Sequence, residues 1–198
     1  MNKKNFATLD FNKSLKDFKD NVTKILELTD IENWDGIKIK EKEEEIRNSA
    51  LILAGQCVAI LLYDISKSDL AINTANKKTQ KWWREKTKNH GYKKRQILTI
   101  GNVEVTLNIP YVVERNYIKN KSKKSFNQGF YPILRWLSME EGVTPLVWST
   151  IAKYGAVSAS FEAARNTLID WGIDISLRRI ERKVCRKKIL PASFAANL

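Results

Sequence analysis

A stretch in the middle of the chain, from Gln96 to Ile109, constrains the fold more than any other (QILTIGNVEVTLNI). Two runs rich in β-branched residues flank Gly101-Asn102, a pair typical of a two-residue hairpin turn. Alternation puts one set of side chains of the second run on an apolar face: Val103, Val105, Leu107 and Ile109. Pro110 ends the predicted pairing. A lone hairpin is marginally stable, so we expect it to pack on helices or to join further strands.

The rest of the sequence is mostly helical in pattern. Apolar residues at spacings of three and four predict an amphipathic helix from Phe11 to Ile25, followed by a loop over 29–40 with its turn at Asp35-Gly36. A long helix is predicted from Glu41 to Tyr63, acidic at its start and apolar nearly all round in its second part. We expect the second part to be buried on several sides, mainly through core packing. The 41–63 helix is also the candidate interface of a homodimer.

Neither membrane insertion nor secretion is predicted. The longest apolar stretch, from Ala50 to Tyr63, has 14 residues and is interrupted by Gly55 and Gln56. A membrane-spanning helix needs about 20 apolar residues. The first residues, MNKKNFATLDFNKS, lack the apolar core of a signal peptide. We therefore expect a cytoplasmic protein without a membrane partner.

Charge is unevenly distributed along the chain. Residues 1–75 hold 11 basic and 13 acidic side chains, for a net charge of −2, whereas residues 76–198 hold 24 and 9, for a net charge of +15. A near-neutral segment followed by a strongly basic one is typical of a scaffold joined to a polyanion-binding region. We favour nucleic acid, and specifically DNA, as the partner over a basic surface that is merely soluble.

The segment from 77 to 95 carries nine basic residues and one acid, interleaved with two tryptophans and a tyrosine. Such a mixture can neutralise phosphates and stack on bases. Its candidate DNA-binding residues are Lys81, Trp82 and Arg84. The alternative is a solvated linker whose tryptophans dock on the body of the protein. Residues 119–128 predict a further basic loop.

The last third of the chain predicts short helices separated by capping residues. One helix begins at Thr144-Pro145 and ends at Gly155, and the next runs from Phe161 to Trp171 after a serine cap. Gly172 is a natural left-handed C-cap, and Ser176 caps a final basic helix. Helix, glycine turn and basic helix together give the outline of a helix-turn-helix, although the usual turn is tighter.

The final helix has an apolar side and an arginine side. If Leu177, Ile180 and Val184 face inward, the 3.6-residue period turns the arginines outward. Arginine binds phosphate or guanine through two parallel hydrogen bonds, which lysine cannot do. The predicted DNA-binding residues here are Ser176, Arg178, Arg179, Arg182, Lys183 and Arg186. The alternative is a solvated cationic face.

Catalytic and metal sites find little support in the sequence. Two cysteines, Cys57 and Cys185, and one histidine, His90, are too few for a zinc finger and do not suggest a disulfide scaffold. The nine acids of residues 76–198 are few for the carboxylate cluster of two-metal nucleotidyl transfer. His90 has no neighbouring nucleophile. We therefore expect no catalytic residue, no metal and no cofactor in this chain.

Several runs of the sequence form a series of motifs. ILTIGNVEVTLNIPYVVERNY (97–117) has a G-x-V-x-V hairpin that leads to a tyrosine-arginine segment. Residues 131–182 begin with YPILRWL and then contain S-F-x-x-A…L…G-I-x-hydrophobic-S before the basic helix. Together with LAGQCVAILLY (53–63), these runs resemble the N-terminal half of bacterial insertion-sequence transposases of the Kra-type family. The resemblance covers roughly residues 45–184.

The resemblance implies DNA binding and assembly at the ends of a mobile element. The residues that carry over are Ser176, Arg178, Arg179 and Arg182. Family members continue into an RNase-H-like domain with a DDE carboxylate triad that binds metal and cuts and joins DNA. This chain is expected to lack that domain, so Mg²⁺ is expected only for the missing part. The resemblance thus leaves enzymatic activity of this chain alone without support.

Taken together, the sequence predicts a mainly α (α+β) fold: a helical bundle with one β-hairpin and a C-terminal helix-turn-helix-like helix pair. The predicted segments are an N-terminal helical region (1–75), a basic aromatic linker (76–95), the hairpin and a basic loop (96–128), a DNA-binding helical region (129–190) and a tail (191–198). The predicted function is that of the DNA-binding N-terminal portion of a truncated transposase, which recognises element-end DNA. The alternatives are a complete small DNA-binding regulator and an inert transposase relic.

Overall fold

The structure is a computed structural model that describes residues 10–29, 31–83, 87–114 and 128–185. Within these ranges it confirms a mainly α (α+β) fold, with a three-stranded antiparallel sheet of order β1-β2-β3. The helices are α1 (Phe11–Ile25), α2 (Gly36–Lys67), α3 (Asp69–Thr79), α4 (Pro132–Trp136), α5 (Pro145–Val157), α6 (Phe161–Asp170) and α7 (Leu177–Cys185). The strands are β1 (Thr87–Leu98), β2 (Glu104–Glu114) and β3 (Gln128–Phe130). Short 3-10 turns occupy Ile31–Asn33, Gln80–Trp82 and Ile100–Asn102.

The long helix α2 begins inside the segment that the sequence predicted as a loop. Asp35 is its N-cap, because the Asp35 carboxylate accepts a hydrogen bond from the Lys38 N–H at 2.8 Å. The prediction of a turn at Asp35-Gly36 is therefore wrong, since aspartate caps helices as readily as it begins turns. The first helix, α1, has the predicted bounds, is capped by Asp10 and packs on α2.

The β-hairpin is much longer than the sequence predicted. Residues 87–95, predicted as part of a linker, belong to β1 and pair with β2 from Thr87–Glu114 to Leu98–Glu104. The linker prediction failed because residues 88–96 are exposed, so polar side chains occupy both faces of the strand. Pro110 does not end the pairing. It lies opposite Tyr92, beside a register shift where a residue without an N–H is tolerated.

The hairpin turn is wedged between two helical parts of the molecule. Gly101 and Asn102 have the positive φ values expected of the turn, 69° and 55°. On one side, a Cβ on Gly101 would lie 2.2 Å from the Leu51 carbonyl oxygen of α2. On the other side, a Cβ on Gly172 would lie 2.8 Å from the Gly101 Cα. The turn thus joins α2 to the segment between α6 and α7.

Two hydrophobic clusters meet at the closed end of the hairpin. The first lies between the sheet and α2, α3 and α4, and it contains the four alternating apolar residues that the sequence assigned to one face, of which all but Val103 belong to β2. The second lies among α5, α6 and α7. Ile97 belongs to the first cluster and Leu98 to the second, because successive strand residues point to opposite faces. The end of β1 therefore contributes to both cores.

The C-terminal helices follow most of their predicted capping signals. Ser160 caps α6, where its hydroxyl accepts a hydrogen bond from the Ala163 N–H at 3.1 Å, and Gly172 has a φ of 64° after the helix ends. Gly155, however, does not end α5, which continues to Val157. A Cβ on Gly155 would lie 2.3 Å from Val184 Cγ2, so this glycine permits the close approach of α7.

Helix α2 is long and apolar enough to cross a membrane, judged by its length and composition alone. The core helices of soluble proteins pass the same test, although they are mostly buried. Only 28% of the apolar window of α2 is buried. The predicted burial of its second part on several sides holds only in part: Ala59 and Leu62 are buried, whereas Leu61 is 58% and Tyr63 is 40% exposed. The cytoplasmic location stays a prediction.

Candidate nucleic-acid interface

The orientation of α7 is fixed by the segment that precedes it. Ile173 and Ile175 are 1% and 4% exposed and anchor this segment in the second hydrophobic cluster. Arg165 of α6 spans the same segment, since its Nη2 lies 3.0 Å from Asp174 Oδ1 and its Nε donates to the Ile175 carbonyl at 3.2 Å. Ile180 of α7 is fully buried. These contacts determine which side of α7 faces solvent.

The two sides of α7 differ from the predicted arrangement. Arg178 and Arg182 are exposed, as predicted, and Leu177, predicted to face inward, is 42% exposed. Arg179 is half-buried and Lys183 is only 5% exposed. The prediction that Arg179 projects outward is therefore wrong, and burial contradicts the prediction of Lys183 as a DNA contact.

The reason for this difference is a turn at residues 140–142, which covers one flank of α7. Arg179 Nη2 donates to the Gly142 carbonyl oxygen at 3.5 Å. Lys183 Nζ lies 3.6 Å from Glu141 Oε2 and donates to the Glu141 carbonyl oxygen at 3.5 Å. Helical periodicity gives the angle of each side chain around α7, but it does not identify the neighbour at that angle.

Burial and nearby positive charges lower the pKa values of both Lys183 and Arg179. Burial lowers the pKa of Lys183 to about 8, with the Glu141 carboxylate raising it and Arg179 lowering it further. Burial also lowers the pKa of Arg179, with Glu104 raising it and the charges of Arg182 and Arg95 lowering it. The guanidinium groups of β1 and α7 are therefore close enough to repel one another.

Strand β1 reaches α7 through the same turn. The Leu98 N–H donates to the Gly142 carbonyl at 3.1 Å, and the Thr144 N–H donates to the Leu98 carbonyl at 3.0 Å. Arg95 Nη2 donates to the Glu140 carbonyl at 3.3 Å. Arg95 and Arg179 thus attach to one short turn from two elements that are far apart in the sequence. We call the residues around it the cationic surface: Lys93, Arg95, Arg178, Arg179 and Arg182.

Four acids lie near this surface, and two of them are paired with other cations. Glu141 pairs with Lys183, and Glu140 Oε1 lies 2.8 Å from Arg135 Nε. Glu104 is half-buried, and its Oε2 is enclosed without a hydrogen-bond partner in the described part of the chain. Glu181 is exposed on α7, so the outer face of this helix is not purely basic. Positive charge nevertheless predominates around the turn.

The other predicted site residues lie at the start of α7, in the turn after α3, or outside the described residues. Ser176 is exposed, and its carbonyl accepts from the Ile180 N–H at 3.1 Å at the start of α7. Lys81 is exposed in the turn after α3. The residues outside the description are Arg84, Arg186 and the side chain of Trp82, as well as 119–127 of the predicted basic loop. The predictions for them are neither supported nor contradicted.

The position of Trp83 agrees with the alternative prediction for residues 77–95, in which the tryptophans dock on the body of the protein. Its indole Nε1 donates to Thr79 Oγ1 at 3.2 Å, and its ring meets Phe130 edge-on with centroids 6.5 Å apart. This tryptophan docks on the body of the protein. The site residues that the sequence did not single out are Lys93 and Arg95. The sequence did contain a signal for them, because alternation along the strand places Lys93 and Arg95 on the same face as Ile97, which is buried.

Comparison with known proteins found no match. No protein-family model, no curated protein and no solved structure matches it. The resemblance to Kra-type transposases therefore stays a prediction. Within the described ranges, no group of three or more His, Cys, Asp or Glu side chains is placed to hold a metal ion.

Proposed function

We propose that this protein binds DNA through the cationic surface. The observation that carries the proposal is the attachment of Arg95 and Arg179 to the turn at 140–142, beside exposed Arg178 and Arg182. A guanidinium held by a backbone carbonyl keeps its remaining N–H groups in a fixed direction. A guanidinium group oriented in this way can donate two parallel hydrogen bonds to phosphate oxygens or to the edge of guanine.

The electrostatics of the chain support the same partner. The net charge of the whole sequence is +13, and the basic excess falls entirely in residues 76–198, which contain the cationic surface. A field of one sign accelerates association with a polyanion and makes the affinity depend on salt. Arg178 and Arg182 lie one helical turn apart on the same exposed face, so both can reach one DNA strand.

We infer the biological role from the resemblance rather than from geometry. If the resemblance to Kra-type transposases holds, the DNA bound here is the end of a mobile element, and the protein takes part in DNA transposition by recognising it. A small DNA-binding regulator would use the same surface. The two roles differ in their DNA: a transposase prefers element-end sequence, whereas a regulator prefers an operator.

Replacing Arg178 and Arg182 together by alanine tests the proposal. We expect the double variant to bind a short blunt duplex more weakly. We also expect the slope of log K against log salt to become shallower by about 2, because each lost phosphate contact releases roughly one counterion fewer. Fluorescence anisotropy at salt concentrations from about 50 to 200 mM measures both quantities.

The matched control is the replacement of Lys16 and Lys19 by alanine. Both lysines are exposed on α1, and their loss removes the same charge from the near-neutral part of the chain. This variant should keep the wild-type salt slope. An unchanged slope in the arginine variant, or an equal loss in both variants, would contradict the proposal.

A further inference from the structure

A pocket of about 360 Å³ lies at one end of the sheet, where the three strands meet α4. Three cationic and three aromatic side chains line most of it: Lys93, Arg95, Arg135, Tyr111, Phe130 and Tyr131. Pockets that hold small molecules typically measure about 300 to 1,000 Å³. This pocket is at the lower end of that range, so it suits a single nucleotide rather than a longer stretch of a strand.

The cations and the aromatic rings are interleaved. Lys93 Nζ lies 3.9 Å from the centroid of the Tyr111 ring, and Arg135 Cζ lies 3.9 Å from the centroid of the Phe130 ring. The rings of Tyr111 and Tyr131 are 4.8 Å apart and tilted by 60°. A nucleotide needs an aromatic face for its base and a cation for its phosphate. The flexible stem of Lys93 allows its ammonium group to move from the ring to a phosphate.

The polar groups of the pocket select an anionic ligand. The acid that lines it, Glu140, is paired with Arg135 at 2.8 Å. Burial raises the pKa of Tyr131, although the charge of Arg95 lowers it, so the phenol stays protonated at neutral pH. Its hydroxyl is therefore a hydrogen-bond donor. Cations and a neutral phenol together provide donors for phosphate and for base oxygens.

Arg95 belongs both to this pocket and to the cationic surface, so the pocket adjoins the surface where DNA is proposed to lie. We propose that the pocket holds one unpaired nucleotide of a bound DNA strand, with the base against Tyr111 and Tyr131 and the phosphate on Lys93 and Arg95. The inference rests on the proposed DNA binding. Stacking tolerates every base, because every base has an aromatic face, so no base preference is expected.

Two DNA probes of one sequence test this inference, a blunt duplex and the same duplex with a short single-stranded overhang. We expect the full-length protein to bind the overhang probe more tightly, by roughly 5- to 100-fold for a single stacked base. Tyr111→Leu should abolish this preference and leave the affinity for the blunt duplex unchanged. Tyr111→Phe keeps the ring and should keep the preference. The matched control is Tyr63→Leu on α2, which should change neither affinity.

Photocrosslinking of the wild-type protein keeps the test independent of how well the variants fold. An overhang that carries 5-iododeoxyuridine should crosslink to a peptide that contains Tyr111 or Tyr131. Crosslinks confined to α7, or equal affinity for the two probes, would overturn the inference while leaving DNA binding intact. Absence of binding to either probe would instead defeat the proposed function. Tighter binding of an RNA overhang, or competition by free dAMP without an overhang preference, would overturn the assignment to a DNA strand.

Discussion

Lys183 illustrates how packing changes the role of a single residue. Its sequence context, a basic helix next to arginines, predicts a contact with DNA. In the fold its side chain is 2% exposed and pairs with Glu141, so it joins α7 to the turn at 140–142. Arg178 and Arg182 kept their predicted exposure because nothing described covers that side of α7. The exposure of a helical residue depends on its neighbours, which local periodicity does not specify.

The buried ammonium of Lys183 predicts a dependence of stability on pH. Its pKa is about 8 in the folded protein and near 10.5 in the unfolded chain, so the unfolded chain binds more protons between these values. The contribution of Lys183 to stability should therefore rise with pH above about 8, by roughly 1 kcal/mol from pH 7 to pH 9. Lys183→Met should remove this contribution. Urea unfolding of both proteins at the two pH values measures the difference, and an identical pH dependence would contradict it.

At the level of elements, local signals located the helices better than they located the strands. Ser160 and Gly172 located the ends of α6, and Pro145 located the start of α5, because such signals act within a few residues. The Thr144 side chain, which the sequence predicted as a cap, makes no capping hydrogen bond. The full length of β1 was missed, since an exposed strand lacks alternation and is defined by its pairing with β2. The pocket was not predictable for the same reason: its side chains come from four elements that only tertiary structure brings together.

The contact between α5 and α7 provides a test of element packing. In Gly155→Ala the new methyl group would lie 2.3 Å from Val184 Cγ2, so either the Val184 side chain or α7 must shift. We expect a loss of stability of about 1 to 3 kcal/mol from overpacking, less the roughly 1 kcal/mol that alanine gains over glycine in a helix. Adding Val184→Ala should recover part of the loss. Urea unfolding of the two single variants and the double variant gives the coupling, and strictly additive effects would contradict this contact.

At the level of the whole molecule, the hairpin turn contacts two helical regions that the sequence predicted as separate segments. The sequence predicted an N-terminal helical region (1–75) separate from a DNA-binding helical region (129–190). In the structure Gly101 contacts both α2 and the segment before α7, and the end of β1 enters both hydrophobic clusters. The difference in net charge between residues 1–75 and residues 76–198 was visible in the sequence. Their mutual contact was not, because it depends on the long-range placement of one turn.

The uncovered face of α2 leads to a prediction about assembly. Ala54, Cys57 and Leu61 share this face, and Leu61 is 58% exposed. We expect a second copy of the chain to cover it, which would make the protein a homodimer through α2. Leu61→Glu should then yield a monomer in light scattering after size exclusion, whereas Val157→Glu on α5 should not. A wild-type monomer, or partition of the wild type into lipid vesicles, would contradict this prediction.

The positive charge of β1 lies along an exposed strand edge, where it also affects aggregation. Among the described residues, β1 pairs with β2 on one side, and on the other only Leu98 bridges to Val143. An open strand edge is a template on which another chain can add, and like charges along it prevent this. Lys88, Lys93, Lys94 and Arg95 therefore protect the protein from edge-to-edge aggregation. Neutralising Lys93 or Arg95 to test the proposed DNA binding would therefore also remove part of this protection, so aggregation must be measured together with affinity in such variants.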